Sequence, residues 1–462
     1  MTYFFETYGC QMNMAESAAA EQLFLARGWT RAESAQTADV AVINTCSVRA
    51  TAENRIFGRL GWYAGLKAVR ACEPGAKAKS LESAAEFVKD GARPLTLVVM
   101  GCMAERLLSS FQKDYPCIDY VVGTYAKKDF GSIIAAVEEG RTAEQPDDGG
   151  GYQFAPLSYE PGAFTAFVPI MHGCNNFCTY CIVPYVRGRE CSRPAADILK
   201  ELDALSSYGV REVTLLGQNV NSYCGAAPDG GTLGFAGLLR LVAAHLRRTR
   251  SSIGWVRFLS SHPKDLSDEV IAAVAEEDSV CRHIHLPVQH GSTRILKEMN
   301  RRYTRDDYLA LVGKIRRAVP GVSLTTDVMT GFPGEGEADF QEILSLMRDV
   351  RYENAFMYYY NPRSGTPAAQ MPGQIPLAVK KARLQKIIDL QLSITAEEMR
   401  RRVGSTVRVL VEAVSRDNKD ELLGKTERDE RVAFAADKSL IGTFADVRID
   451  SLSGNTFRGT SV

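Results

Sequence analysis

The sequence predicts an α/β protein in three parts: an N-terminal open parallel-sheet βαβ domain, a central partial (β/α)6 TIM-like barrel and a C-terminal small antiparallel β-barrel. Three observations predict it. Short Val/Ile-rich runs alternate with helix-period stretches across residues 1–140. The alternation resumes at larger scale from Ala163. Beyond residue 398 it gives way to short alternating strands with turn residues between them. The expected boundaries are 1–140, a linker at 141–162, 163–398 and 399–462.

Three apolar runs in the first part end on a cysteine. Tyr3 to Tyr8 precedes Gly9-Cys10, Asp39 to Ile43 precedes Asn44-Thr45-Cys46, and Leu95 to Met100 precedes Gly101-Cys102. Each run reads as a buried strand. Helical patterns follow at Glu16 to Gly28, Thr51 to Lys67 and Ala104 to Phe111. In an open parallel sheet the carboxyl ends of strands share one edge, where ligands bind. Cys10, Cys46 and Cys102, far apart in sequence, are therefore expected to converge. One such cysteine is ordinary packing, since Cys behaves as a small hydrophobe; three in register suggest a cluster site. Tyr120 to Gly123 reads as a further strand and Lys128 to Glu139 as a closing helix. Ala71 to Arg93 reads as a polar insert, with a possible exposed helix at Ser80 to Lys89 and no assigned role. Gly140 to Gly151 is polar, glycine-rich and acidic, a linker by composition.

The densest chemistry lies at Cys174, Cys178 and Cys181, spaced C-x3-C-x2-C within eight residues. Thiolates are the usual ligands of iron–sulfur clusters. Three local ligands leave one iron of a cubane open, where a small molecule can bind. A structural zinc site is the alternative, but it prefers four ligands in paired C-x2-C units or with histidines.

Strands of the central part are expected at Thr165 to Met171, Glu212 to Leu216, Trp255 to Ser260, His283 to Leu286, Ser323 to Met329 and Ala355 to Tyr360. Helices are expected at Ala195 to Tyr208, Leu233 to Arg248, Ser267 to Glu276, Arg305 to Ala318 and Glu337 to Val350. Barrel chemistry sits at the carboxyl ends of strands. The polar stretches Gly217 to Tyr223, Ser260 to Pro263, Pro287 to Ser292, Gly331 to Glu335 and Asn361 to Pro367 fall there. Gln218, Asn219 and Gln289 are candidates to bind a polar ligand, and Tyr180 to pack on a cluster or an adenine. Turns and helix caps are the plainer reading for any one of them. His172, His262 and His290 are expected to be packing or hydrogen-bonding residues.

Leu377 to Arg402 reads as a long helix ending in Arg400-Arg401-Arg402, the best local candidate for phosphate contact. A solvated helix end is the competing reading. Strands follow at Thr406 to Val414, Gly424 to Ala433 and Phe444 to Ser451.

Composition bounds the possibilities. Lys and Arg number 55, as do Asp and Glu, so no basic excess advertises nucleic-acid binding. No apolar run is long enough to span a membrane, and the first residues do not resemble a secretory signal. With 11 cysteines and no export signal, ligation or free thiols are expected in a reducing cytoplasm.

The motifs carry a resemblance that covers almost the whole chain. Gly173 to Cys181 resembles the cluster motif of the radical S-adenosylmethionine superfamily. Tyr8 to Asn13, Asn44 to Arg49 and Gly101 to Arg106 resemble the N-terminal domain of its methylthiotransferase family. The C-terminal segment, with Glu412, Gly424, Thr426 and Gly442 to Val447, is similar to the RNA-binding TRAM barrel of those enzymes. The resemblance implies two 4Fe–4S clusters, one on Cys174, Cys178 and Cys181 and an auxiliary one on Cys10, Cys46 and Cys102. It implies S-adenosylmethionine as cofactor and, as partners, a tRNA anticodon stem-loop and an electron-donor protein, with a monomer and no membrane contact expected. The implied reaction places a methylthio group on C2 of an N6-dimethylallyl adenosine beside the anticodon. Relatives that act on threonylcarbamoyl-adenosine or on a ribosomal-protein aspartate are alternatives, and a non-catalytic iron–sulfur RNA sensor is one of another class.

Overall fold

A computed structural model describes residues 1–47, 50–71, 94–108, 110–125, 130–146 and 151–462. The expected helix at Ser80 to Lys89 and the middle of the expected linker lie outside these residues. Two compact units are defined by the chain's contacts: Met1–Cys174 with Ile182–Cys191, and Asn175–Cys181 with Ser192–Val462.

The first unit is built on a five-stranded parallel sheet. In spatial order its strands are Thr30–Arg31, Thr2–Thr7, Val40–Thr45, Thr96–Gly101 and Tyr120–Val122. The Val40–Thr45 strand is buried at every position. Helices on both faces explain why it reads as one apolar run instead of alternating. Ile43 and Val99 pack on one face against Ile56, Leu60 and Tyr63 of the helix Ala50–Arg70. Val42 and Val98 pack on the other with Phe24 of the helix Gln11–Leu25 and Ile134 of the helix Phe130–Glu139. The described ends of the segment read as a linker pack onto this unit as well. Ala143 joins the second cluster, and Tyr159 accepts a 2.6 Å hydrogen bond from Gln22.

In the second unit, Glu212–Leu216 pairs in parallel with Trp255–Phe258. His283–His285, Ser323–Thr330 and Asn354–Tyr359 form a separate parallel set. The helices Ala195–Ser207, Phe235–Thr249, Asp268–Glu276, Arg305–Ala318 and Glu337–Val350 stand where their apolar period predicts. The helix Leu377–Arg400 leads into a closed five-stranded barrel.

That barrel departs from expectation twice. The stretch Gly424 to Ala433 is two strands, Glu421–Thr426 and Arg431–Ala435, joined by a tight turn at Asp429 with φ 66°. The Thr426 hydroxyl accepts the backbone N–H groups of Arg428 and Glu430, which closes the turn without glycine. The barrel is also not wholly antiparallel. Arg431–Ala435 closes it by pairing in parallel with the last strand, Thr456–Ser461.

The barrel seats against the amino ends of the central strands. Arg257 donates to the carbonyls of Thr426 (2.6 Å) and Glu427 (2.7 Å) and to the Glu212 carboxylate (2.8 Å). Lys425 reaches the same carboxylate at 2.6 Å. The rings of Trp255 and Phe444 meet edge-on at 4.8 Å. The opposite, carboxyl ends of these strands carry the site described next. Among the described residues no helix is long and apolar enough to cross a membrane.

Candidate functional site

Strand register carries the first group of thiols. Asn44 lies opposite both Thr7 and Met100, and Thr45 lies opposite Gly101. Cys46 and Cys102 each follow directly on these neighbouring strand ends, and Cys10 caps the helix that leaves the first strand. Two asparagines lock the loops together. Asn13 Nδ2 donates to Asn44 Oδ1 (2.9 Å) and to the Thr45 carbonyl (3.0 Å); Asn44 Nδ2 donates to the Asn13 carbonyl (2.8 Å). Gly9 must be glycine, since a Cβ there would stand 2.9 Å from the Cys46 Cβ. Gly101, at φ 96°, leaves no room for a Cβ beside Asn44 and Thr45.

Cys46 and Cys102 are buried while Cys10 is exposed. Burial pushes the Cys102 thiol up; Arg187 pulls it down, and Glu16 and Cys10 add to the rise. Among the described residues no three His, Cys, Asp or Glu side chains close on a single metal ion.

The second group falls in a loop whose segments are held separately. In the first unit, the Cys174 N–H donates to the Gly188 carbonyl at 3.0 Å. In the second unit, Asn175–Cys181 is tied to the segment Glu298–Arg301. Thr179 donates to the carbonyls of Met299 (3.1 Å) and Glu298 (2.9 Å), and Asn300 Nδ2 donates to those of Asn176 and Phe177. Arg301, buried, donates to Cys178 Sγ at 3.5 Å and to the Pro287 carbonyl at 2.7 Å. Tyr180 packs against Met299, Phe332 and Tyr360.

The carboxyl ends of the two strands Glu212–Leu216 and Trp255–Phe258 hold an unusual concentration of unsatisfied polarity. Gln218 Oε1, Asn219 Oδ1, Asn221 Nδ2, Ser261 Oγ and His262 Nε2 are buried, and each lacks a hydrogen-bond partner. Each such atom costs about 1–3 kcal/mol, so five on adjacent strand ends mark a place for a polar ligand. Ser260 stands among them at φ 71°, in the left-handed region that is unfavourable for a residue with a side chain. Burial drives His262 down to about 2, reinforced by Arg301, Lys264 and Arg302. The ring is therefore neutral near pH 7. Its Nδ1 accepts the Lys264 N–H (3.3 Å), which assigns the remaining proton to Nε2 as a donor.

Of the residues singled out from sequence, Gln218 and Asn219 stand at these strand ends with unpaired oxygens. Gln289 is already engaged: its Oε1 accepts from Tyr358 (2.7 Å) and its Nε2 lies 3.4 Å from Asp327. Asn221 and Ser261 belong to the polar stretches expected at strand ends, and His262, expected to pack or hydrogen-bond, does accept a bond at Nδ1 while its Nε2 is unpaired; Arg301 carries no signal in the sequence. His290 is a packing residue, bonded to Glu335. The Arg400–Arg402 patch lies at the other end of the strands. Arg401 pairs with Glu398 (2.8 Å), and Arg402 turns towards Glu430 (3.6 Å). Arg401 also lines a cavity of about 350 Å³ with Arg316, Arg351, Arg428 and two glutamates.

Family models match along the chain: the uncharacterized protein family UPF0004 over residues 2–123, the radical SAM superfamily over 168–347, and the TRAM domain over 400–462. Similar curated proteins bear the name tRNA-2-methylthio-N(6)-dimethylallyladenosine synthase. The one from Treponema pallidum is 52% identical over 99% of this chain and 98% of its own length. The Treponema denticola protein is 48% identical over 99% of both chains. That of Bacteroides thetaiotaomicron is 42% identical over 99% of this chain and 96% of its own. A similar solved structure is the radical S-adenosylmethionine methyltransferase TsrM from Kitasatospora setae. Its TM-score is 0.56 at 13% identity, over 80% of this chain and 75% of that one, a likeness of fold alone.

Proposed function

From the premise that this chain belongs to the tRNA-2-methylthio-N6-dimethylallyladenosine synthase family of radical S-adenosylmethionine enzymes, we propose the following assignment of its residues to the reaction. The enzyme adds a methylthio group to C2 of N6-dimethylallyl adenosine in tRNA, using a 4Fe–4S cluster and S-adenosylmethionine. The observation that carries the conclusion is full-length identity of 52% to a protein of that name, together with the radical domain and its intact C-x3-C-x2-C spacing. When bound, the cluster supplies the electron that reductively cleaves S-adenosylmethionine, so that a carbon radical can take hydrogen from the adenine C2.

Cys174, Cys178 and Cys181 are assigned as the ligands of that cluster, three thiolates leaving one iron for the methionine moiety. Arg301 donates to Cys178 Sγ and so orients one ligand, as groups around a metal's ligands commonly do. The unpaired atoms of Gln218, Asn219, Asn221, Ser261 and His262 are assigned to S-adenosylmethionine, whose amino, carboxylate and ribose groups offer matching donors and acceptors. Gln289 and Tyr180 are assigned to the walls of that site. The central strands are proposed to form the partial (β/α)6 barrel of the superfamily. Cys10, Cys46 and Cys102 are assigned to a second, auxiliary cluster from which sulfur is delivered; the neighbouring strand ends that carry Cys46 and Cys102, and the Asn13–Asn44 bonds beside Cys10, support that assignment. The C-terminal barrel is proposed to bind the anticodon stem-loop. Arg400 is the member of the terminal arginine patch without an ion pair to Glu398 or Glu430, so the phosphate contact is narrowed to it. A reducing cytoplasm, a separate electron-donor protein and a monomeric state complete the reading.

Two measurements test it. Bulk tRNA from a strain lacking the gene should lose 2-methylthio-N6-isopentenyladenosine and keep 2-methylthio-threonylcarbamoyl-adenosine, by nucleoside mass spectrometry. An unchanged first nucleoside removes the assigned substrate. For the cofactor pocket, Ser261→Ala and Gln218→Ala should each weaken S-adenosylmethionine binding by about tenfold, a loss of ~1.4 kcal/mol. The stability of the ligand-free protein should hold or rise, because an unsatisfied buried atom is deleted. Unaltered affinity in both variants would reassign these atoms to the fold.

A further inference from the structure

Arg187 lies six residues beyond Cys181, yet it belongs to the first unit. Its Nε stands 3.1 Å from Cys102 Sγ, across 85 residues of sequence. Its Nη1 donates to Glu16 Oε1 at 2.8 Å, and Nη2 lies 3.3 Å from Glu16 Oε2. Nη1 also stands 3.4 Å from His172 Nδ1. Both charged side chains are 3% exposed. The backbone around Arg187 is pinned: Thr124 Oγ1 donates to the Val186 carbonyl (3.0 Å), Tyr125 to that of Arg187 (2.8 Å), and the Cys174 N–H to that of Gly188 (3.0 Å). Ile182 and Val186 pack directly on Cys102.

A buried arginine needs one carboxylate for charge balance, and Glu16 provides it. The bond to sulfur is surplus to that need. Only a guanidinium has the rigid fork that serves a carboxylate with two nitrogens and a sulfur with the third; an ammonium does not. A thiol is a weak acceptor, whereas a metal-bound thiolate is a strong one. Hydrogen bonds and net charge at the cysteine sulfurs are among the main determinants of an iron–sulfur potential. Arg187 thus donates to Cys102, one of the three cysteines assigned to the auxiliary cluster.

We propose that Arg187 is a positioning residue for the auxiliary cluster. It fixes the Cys102 thiolate and raises the cluster's reduction potential, while Glu16 moderates that effect. The proposal rests on the assignment of a second cluster to Cys10, Cys46 and Cys102. The chain segment that follows the radical motif thereby reaches into the auxiliary site and sets its electronic state.

The test is a spectroscopic redox titration of the anaerobically reconstituted full-length protein. Wild-type protein should hold two cubanes per chain with two resolvable midpoint potentials. Arg187→Met should lower one of them by at least a tenfold change in the oxidised-to-reduced ratio at fixed potential, about 59 mV for a one-electron couple. The other should not move. Arg187→Lys should restore part of the shift, and Glu16→Gln should move the same potential upward. If Arg187→Met fails to fold because Glu16 is left unpaired, the Glu16→Gln/Arg187→Met double variant removes the stranded charge and must show the downward shift. Two clusters with both potentials unmoved by loss of Arg187 overturn the proposal and leave the second cluster standing. A single cluster in the wild-type protein, with iron content indifferent to loss of Cys10, Cys46 and Cys102, overturns the assignment beneath it.

Discussion

Replacing Cys10, Cys46 and Cys102 together with alanine should abolish methylthio transfer, by a factor of at least about a thousand, while release of 5′-deoxyadenosine from S-adenosylmethionine continues. The expectation follows from where the thiols stand. Cys46 and Cys102 directly follow neighbouring parallel strands, and Cys10 is held by Asn13 against the same edge. The sheet beneath them draws its stability from Val42, Val98 and their neighbours on both faces, none of which the substitution touches. Losing the sulfurs of two buried cysteines costs of the order of 1–2 kcal/mol each, so the variant should fold. Iron per chain should fall by half. The companion variant lacking Cys174, Cys178 and Cys181 should release no deoxyadenosine at all. Undiminished iron in the first variant, or methylthiolated nucleoside still formed by it, would defeat the assignment of a sulfur-delivering cluster to this edge.

Glu335→Ala should destabilise the second unit by about 3–5 kcal/mol, the range for leaving a buried ion pair with one partner. Glu335 and His290 are fully buried, with Nε2 and Oε2 3.2 Å apart. The carboxylate also accepts from Thr330 Oγ1 (2.9 Å), the Gly331 N–H (2.6 Å), the Phe332 N–H (3.3 Å) and Arg383 (2.8 Å). Burial pushes the carboxyl up, but the bonds from His290, Thr330 and Gly331 outweigh it and hold it below its ordinary value. A carboxyl depressed in the folded state stabilises above its unfolded value of about 4.3, and that stabilisation is lost as pH falls through the folded value. Urea unfolding of the wild-type protein should therefore weaken on acidification below about pH 4. Glu335→Gln should keep the shape, cost less at pH 7 and respond less to acid in that window. Equal acid sensitivity in wild type and Glu335→Gln would show that this carboxylate contributes nothing to it.

Glu335 also illustrates where reading the sequence stops. Gly331 to Glu335 sits at a strand end, as expected, yet its carboxylate is consumed by the loop itself. Gln289 was singled out on the same positional argument and is likewise already bonded. Position at a strand end is legible from apolar periodicity; whether a polar atom there is spare depends on neighbours that the chain brings from elsewhere. Ser261 and Asn221 fall in the polar stretches at strand ends, but nothing in the sequence separates them from their neighbours there. The burial that keeps His262 neutral comes with Arg301 nearby, from a distant segment. The final strand Thr456–Ser461 went unread because its glycine and its short length blur the alternation, and its parallel pairing depends on a partner more than twenty residues back.

What the sequence alone determined is whatever depends on local spacing. The C-x3-C-x2-C spacing of Cys174, Cys178 and Cys181, the runs buried on both faces of a parallel sheet and the βα alternation are all of that kind, because motif spacing and strand burial are set within a few residues. What only the tertiary structure decided is which charges and polar atoms find partners. Glu16 and Cys102 share one guanidinium from Arg187, and Arg401 and Arg402 turn to Glu398 and Glu430, because pairing is a property of three-dimensional neighbours that no spacing along the chain encodes.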